Sequence, residues 1–142
     1  MLLVLVVDAG ADVNKSNNDG WTPLYIASAD CHVDVVRALI DAGADVNKSN
    51  NDGWTPLQMA SEYGYADVVR ALIDAGADVN KQTNQKSTPL FLASFKNVHK
   101  GVILMLLLNG AFIESSLMNQ PMMYNMFLRQ SDQTDTDTVF IH

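Results

Sequence analysis

The chain has 142 residues, of which 48% are hydrophobic and 18% charged, a composition typical of one globular domain and unlike that of a disordered chain. Its net charge of −7 argues against a duplex nucleic-acid binder, because such proteins neutralise phosphates with a basic surface. The single cysteine, Cys31, excludes an intramolecular disulfide and a cysteine-only metal site, and it fits a reducing compartment. No run of about 18 apolar residues occurs, so no transmembrane helix is expected. These features predict an acidic, soluble, cytoplasmic domain without nucleic-acid or membrane partners.

Charge is spread unevenly along the chain. Residues 1–80 carry 12 acidic and 4 basic side chains, whereas residues 81–114 carry 4 basic side chains against Glu114 alone. An acidic body beside a basic patch could orient a partner. The alternative is that these charged side chains only form solvated faces, where each contributes little free energy.

The first element along the chain is the apolar run of residues 1–7, MLLVLVV. It aligns with residues 34–40, the second half of a helix predicted further on, so we expect the chain to begin inside a repeat. A secretory signal is the alternative, but the run lacks a basic segment before it and a cleavage site after it. An apolar edge at this end would offer a surface for self-association.

Residues 8–40 and 41–73 are two copies of one 33-residue unit, with 26 identical positions. A third copy begins at residue 74 with DAGADVNK and recovers the tripeptide TPL at residues 88–90. Self-similarity at a fixed period of this length indicates a repeat architecture.

Each unit predicts a turn followed by two helices. In the first, the NNDG sequence of residues 17–20 is typical of a tight turn, and Thr22 followed by Pro23 is typical of a helix start. A break near Cys31 precedes a second apolar helix that ends at Ile40. Such a pair is too thin to bury its apolar face, so about three units must stack to be stable.

The 33-residue period, the TPL tripeptide and the GADVN segment at residues 10–14, 43–47 and 76–80 resemble ankyrin repeats. The resemblance covers roughly residues 1–114. It implies an all-α, ankyrin-like helix-turn-helix solenoid with β-hairpin or turn fingers. The expected organisation is a truncated repeat at 1–7, then repeats at 8–40, 41–73 and 74–107.

Three departures from the family pattern stand out. The histidine that usually follows TPL is replaced by Tyr25, Gln58 and Phe91 in the three units. Cys31 falls where the family places a glycine in a left-handed conformation, at a cost of about 1 kcal/mol. The third unit is one residue longer, and we expect the insertion within residues 96–101.

Beyond the third unit the pattern decays. Residues 108–130, with methionines at 122, 123 and 126, are expected to form a degenerate C-terminal repeat or cap, since methionine adapts to irregular gaps. Residues 131–142 form a polar tail.

No catalytic, cofactor or metal motif is recognisable in the chain. Cys31 and His32 are adjacent, but chain neighbours rarely present a thiolate and its base face to face. Asp30, His32 and Asp34 alternate, yet they straddle a predicted helix–helix loop and nothing else converges on them. We therefore expect a non-catalytic protein with no cofactor and no metal.

The resemblance implies that a partner protein binds a concave face built from the finger tips and the exposed side of each first helix. These positions are Asn18, Asp19, Trp21, Ala29 and Asp30 in the first unit, Asn51, Asp52, Trp54, Glu62 and Tyr63 in the second, and Asn84, Gln85, Ser87, Phe95 and Lys96 in the third. Trp21 and Trp54 lie one repeat apart and should align as an aromatic strip, since tryptophan is enriched at binding hot spots. The alternative is that both pack as scaffold.

The resemblance also suggests a modification. Asn47 and Asn80 each follow Asp-Val and lie eight residues after a leucine, which is similar to ankyrin segments hydroxylated by asparaginyl hydroxylases. Taken together, the sequence predicts a protein–protein interaction module with an unidentified partner. The alternative is a fragment or degenerate copy of a longer ankyrin-repeat protein without an independent partner.

Overall fold

A computed structural model of the chain describes residues 12–114. Within this range six helices follow one another in pairs, and no strand is present. They are α1 (Pro23–Ala29), α2 (Val33–Asp41), α3 (Pro56–Tyr63), α4 (Ala66–Asp74), α5 (Pro89–Phe95) and α6 (Lys100–Leu108). The predicted all-α helix-turn-helix architecture is confirmed.

All six helices belong to one compact unit, Met1–Phe112, and a second unit, Ile113–His142, is described only at its first two residues. The truncated repeat at 1–7 and its self-association edge lie outside the described residues. So do the polar tail at 131–142 and most of the C-terminal repeat or cap at 108–130.

The first helix of every repeat begins at a threonine followed by proline. The hydroxyl oxygen of Thr22 accepts a hydrogen bond from the backbone N–H three residues later at 3.1 Å, and those of Thr55 and Thr88 do the same at 3.3 and 3.2 Å. Each threonine has extended backbone angles, so it satisfies a free N–H of the first turn without joining the helix. The predicted helix starts are confirmed.

The helices form two layers. The first helices α1, α3 and α5 pack in series, the second helices α2, α4 and α6 pack in series, and each pair is joined within its repeat. Leu24, Leu57 and Leu90 from the first layer and Leu39, Leu72 and Leu106 from the second are at most 1% exposed. Because burying a leucine stabilises by about 1.5–3 kcal/mol, these repeated positions explain why stacking of units holds the fold together.

Unlike the third repeat, where Lys96 caps α5 with φ of −94°, the first two repeats join their paired helices through a left-handed residue. Gly64 supplies it after α3 with φ of 73°, and Cys31 supplies it after α1 with φ of 56°, as the sequence predicted. A non-glycine residue there places its Cβ against the following carbonyl oxygen, which costs about 1 kcal/mol. The third repeat carries its extra residue in the α5–α6 connection, within the predicted 96–101, since Pro89 precedes Lys100 by one residue more than Pro56 precedes Ala66.

Candidate protein-binding surface

Each repeat extends a short finger ahead of its first helix, at residues 17–21, 50–54 and 83–87. In the first finger the backbone N–H of Asn17 donates to the carbonyl of Trp21 at 3.1 Å, and the Asn17 side-chain oxygen accepts from the N–H groups of Asp19 and Trp21 at 3.0 and 2.9 Å. Asn50 repeats this arrangement in the second finger, and Thr83 closes the third with its hydroxyl. The fingers are therefore hydrogen-bonded turns that their own first residue organises.

The fingers are bonded to one another in register. Asn51 donates its backbone N–H to the carbonyl of Asp19 at 3.1 Å and its side-chain amide to the carbonyl of Asn18 at 2.9 Å. One repeat later Asn84 makes the same two bonds to Asp52 and Asn51, at 3.0 and 3.1 Å. Two of the predicted binding residues, Asn51 and Asn84, thus use their amide groups to join fingers.

Glycine is required where one finger meets the next. A Cβ at Gly20 would lie 2.9 Å from the backbone nitrogen of Asn51, and one at Gly53 would lie 2.8 Å from that of Asn84. Both glycines also have φ near 80°, which disfavours any side chain. At the same position of the third finger Lys86 adopts φ of 67°, and no fourth finger packs against it within residues 12–114.

We call the surface formed by the fingers, the first helices and the residue that follows each first helix the finger-side surface. It contains all the predicted binding residues, but it exposes them to different degrees. The exposed ones are Asn18, Asp19, Trp21, Asp30, Asn51, Asp52, Tyr63, Asn84, Gln85, Phe95 and Lys96. The half-buried ones are Ala29, Trp54, Glu62 and Ser87.

Aromatic side chains mark this surface. Trp21 is 41% exposed, and its ring centroid lies 5.5 Å from that of Tyr25. Tyr63 and Phe95, at the ends of α3 and α5, are 53% and 55% exposed. Trp54 is half-buried, so the two tryptophans present different amounts of ring to solvent despite their identical local sequence.

Tyr25, which the sequence marked only as a departure from the family pattern, lies beneath the finger-side surface and packs against Trp21. Its side chain is only 3% exposed, and burial, with smaller effects of Tyr63, Glu62 and Asp52, raises the pKa of its phenol to about 12. The acidic groups that act on it come from the second repeat, so the two repeats share a negative local field. The signal in the sequence that pointed to Tyr25 was its position directly after TPL, where the family usually has histidine.

Two further residues hold the second repeat in place. Gln58, fully buried, accepts from the Thr55 N–H at 2.6 Å and donates to the carbonyl of Lys81 at 2.6 Å. His99 lies with its Nε2 3.0 Å from the carbonyl oxygen of Glu62, and because a carbonyl only accepts, Nε2 is the donor. The His99 ring occupies the space that a Cβ at Gly64 would need. These contacts fix the end of α3, where Glu62 and Tyr63 are displayed.

The two asparagines predicted as hydroxylation sites lie in the loops that follow the second helices. Asn47 accepts from the N–H of Asp78 at 2.7 Å, and Asn80 accepts from the N–H of Phe112 at 2.8 Å. The amide of Asn80 also donates to the carbonyl of Gly110 at 3.0 Å. Both side chains therefore join consecutive repeats.

The finger-side surface of the first two repeats is acidic. Residues 17–30 and 50–63 contain Asp19, Asp30, Asp52 and Glu62 and no lysine, arginine or histidine. Within residues 12–114 the one ion pair joins Asp34 to Arg37 at 4.0 Å, on α2. None of these four acidic side chains therefore forms an ion pair in the described part of the chain.

A metal site needs several histidine, cysteine or acidic side chains that converge on one ion. No group of three or more histidine, cysteine or acidic side chains in residues 12–114 is arranged to hold a metal ion. Cys31 is a free, exposed thiol. Among the helices described above, none has the length and apolar character needed to cross a membrane.

Comparison with known proteins gives one positive result. A family model described as ankyrin repeats, in three copies, matches residues 1–83. A search of curated proteins returned no match. The matched region includes the first two repeats with their fingers and the start of the third repeat.

Proposed function

Because this chain belongs to the ankyrin-repeat family, whose members are generally protein–protein interaction modules, we propose that it is a non-catalytic module that binds a partner protein through its finger-side surface. The observation that carries the proposal is the exposure of Trp21, Tyr63 and Phe95 on that one surface. A large aromatic side chain exposed to water does not contribute the favourable free energy that buried apolar side chains contribute elsewhere in the fold. Such residues are enriched at interface hot spots.

The way this surface is built supports the same proposal. The fingers are bonded to each other, and the end of α3 is fixed by His99, so the aromatic side chains stand on a preorganised backbone. A preorganised surface loses less conformational entropy when it binds. The exposed free thiol of Cys31 further supports an intracellular location, where thiols stay reduced.

A capture experiment tests the proposal. The natural chain and a Trp21→Ala, Glu62→Ala, Tyr63→Ala variant are used to retain proteins from a lysate of the source organism. The matched control carries Asp41→Ala, Arg70→Ala and Asp74→Ala, three exposed positions on α2 and α4. All chains are first shown to keep the same helical circular dichroism.

The expected result is a protein retained by the natural chain and by the control but lost by the finger-side variant. Equal retention by the two variants contradicts the proposed surface. Retention of nothing specific by the natural chain contradicts the proposed function.

Hydroxylation of Asn47 or Asn80 is a separate proposal, supported by the family resemblance. Each side-chain amide sits in a loop near the surface, where both residues are half-buried. Intact-mass measurement of the chain from a hydroxylase-containing host tests it. A gain of the mass of one oxygen atom at either residue supports the proposal, and an unmodified chain contradicts it.

A further inference from the structure

Lysine and arginine are absent from the fingers and first helices of the first two repeats, whereas acidic side chains occur there and on the second helices. None of the four acidic side chains Asp19, Asp30, Asp52 and Glu62 forms an ion pair with any of residues 12–114. The lysine and arginine side chains of these repeats lie elsewhere: Arg37 is on α2 and Arg70 is on α4. Lys15 and Lys48 precede the two fingers in the chain, and the Lys48 amine donates to the carbonyl of Asn14 at 2.8 Å. This distribution gives the finger-side surface of repeats one and two a negative field.

Aromatic rings lie within this negative field. Trp21 packs against Tyr25, and Tyr63 stacks on Tyr65 with ring centroids 5.6 Å apart. Asp52 lies in the second finger, and Glu62 directly precedes Tyr63 at the end of α3, the helix that follows this finger. A surface of exposed aromatic faces beside carboxylates matches the guanidinium group, which stacks on an aromatic face and pairs with a carboxylate through its edge.

Other partner chemistries fit this surface less well. An apolar partner would remove the four carboxylates from water without giving them a counter-charge, which is costly. An acidic partner would be repelled by them. A basic partner satisfies both the carboxylates and the rings.

The third repeat reverses the sign of the surface. Residues 83–96 contain Lys86 and Lys96, both exposed, and no acidic side chain. A long basic segment would therefore be attracted by the first two repeats and repelled by the third. The charge pattern limits the basic part of the partner to the region between the first finger and the end of α3.

We propose that the finger-side surface of repeats one and two binds a short arginine-containing basic segment of the partner, whose basic part ends where the third repeat begins. This inference rests on the proposed function and identifies the chemistry of its partner. Arginine side chains bind over Trp21 and Tyr63 and pair with Asp19, Asp52 and Glu62.

The test uses fluorescence anisotropy with short peptides of alternating arginine and glycine, and with lysine–glycine and glutamate–glycine peptides of the same length. The arginine peptide is expected to bind most tightly, the lysine peptide more weakly because it lacks the planar stacking group, and the glutamate peptide not at all. Added salt should weaken binding, since the paired charges are solvent-exposed.

Matched variants separate a local site from general attraction by the acidic chain. The pair Asp52→Asn and Glu62→Gln on the finger-side surface is compared with Asp41→Asn and Asp74→Asn, exposed residues at the ends of α2 and α4. Both pairs remove the same charge. The first should weaken arginine-peptide binding about fivefold, as expected for two exposed ion pairs, and the second should leave it nearly unchanged.

The inference is overturned if the arginine peptide does not bind, if the glutamate peptide binds better, or if both variant pairs weaken binding equally. Its failure can be told apart from failure of the proposed function by applying the same variants to the captured partner. A partner lost on the Trp21, Glu62 and Tyr63 substitutions but retained by Asp52→Asn, Glu62→Gln refutes the basic-segment inference alone. A partner retained by both refutes the proposed surface itself.

Discussion

Replacing Gln58 by alanine is expected to lower the free energy of unfolding by about 2–4 kcal/mol, because this side chain joins the second repeat to the third inside the core. The Gln58 side chain is fully buried and makes two short hydrogen bonds, one with the N–H of Thr55 and one with the carbonyl of Lys81, both at 2.6 Å. It also completes a reciprocal cap, since its own N–H donates to the Thr55 hydroxyl.

The magnitude follows from what alanine leaves behind. The N–H of buried Thr55 would lose its acceptor without access to water, and an unsatisfied buried group costs about 1–3 kcal/mol. The carbonyl of half-buried Lys81 would recover part of its loss from water, so that bond contributes about 1 kcal/mol. Because a solenoid is stabilised by few neighbour interfaces, a loss of this size should be readily measured.

The assay is urea unfolding followed by far-ultraviolet circular dichroism. Free energies of unfolding are compared between chains for which this free energy falls equally steeply with urea concentration. The control is Gln85→Ala, since Gln85 is an exposed finger residue and should change stability by less than about 0.5 kcal/mol. A loss below about 1 kcal/mol for Gln58→Ala would refute the view that this bridge stabilises repeat stacking.

Three other stability predictions follow from buried or strained groups. Burial raises the pKa of Tyr25 to about 12, so the protonated phenol is favoured in the folded state. The free energy of unfolding should therefore fall by up to about 1.4 kcal/mol per pH unit as the pH rises from about 10 towards 12. Urea unfolding of Tyr25→Phe should lack this fall. Cys31→Gly should raise the free energy of unfolding by about 0.5–1 kcal/mol, because it removes a Cβ from a residue with φ of 56°. Ser61→Ala should raise stability by about 1 kcal/mol, since its buried hydroxyl has no hydrogen-bond partner among residues 12–114, whereas Ser94→Ala should lower it by a similar amount because the Ser94 hydroxyl donates to a carbonyl at 2.7 Å.

Each of these has a contrary outcome. If the free energy of unfolding depends on pH equally in the natural chain and in Tyr25→Phe, burial of the Tyr25 phenol is not the cause of that dependence. A less stable Cys31→Gly would contradict the strain argument. Changes of the same sign in Ser61→Ala and Ser94→Ala would contradict the assigned difference between the two hydroxyl groups.

The features that the sequence predicted correctly are governed by short-range rules. The cap at Thr22 depends on residues three positions apart, and the left-handed backbone at Cys31 depends on its place between two helices. The insertion in the α5–α6 connection follows from counting residues against the repeat period. The repeat copies showed the cap three times, at Thr22, Thr55 and Thr88.

The features that the sequence did not reveal depend on how units stack. Gln58 meets Lys81, and His99 meets Glu62, across 23 and 37 residues, and the identity of either residue alone does not specify the contact. The exposure of the site residues is also set by stacking. Trp54 lies in the middle repeat and is half-buried, while Trp21, in the first described repeat, is more exposed despite the same flanking sequence.

The most direct test of the central claim is site-specific photo-cross-linking in cells of the source organism. A photoreactive phenylalanine analogue replaces Tyr63 in one chain and Arg70 in another, because both side chains are exposed but Tyr63 ends α3 and Arg70 lies on α4. We expect the chain labelled at Tyr63 to form a discrete cross-link to another protein and the chain labelled at Arg70 to form none. A discrete cross-link from Arg70 with none from Tyr63 would contradict binding through the finger-side surface.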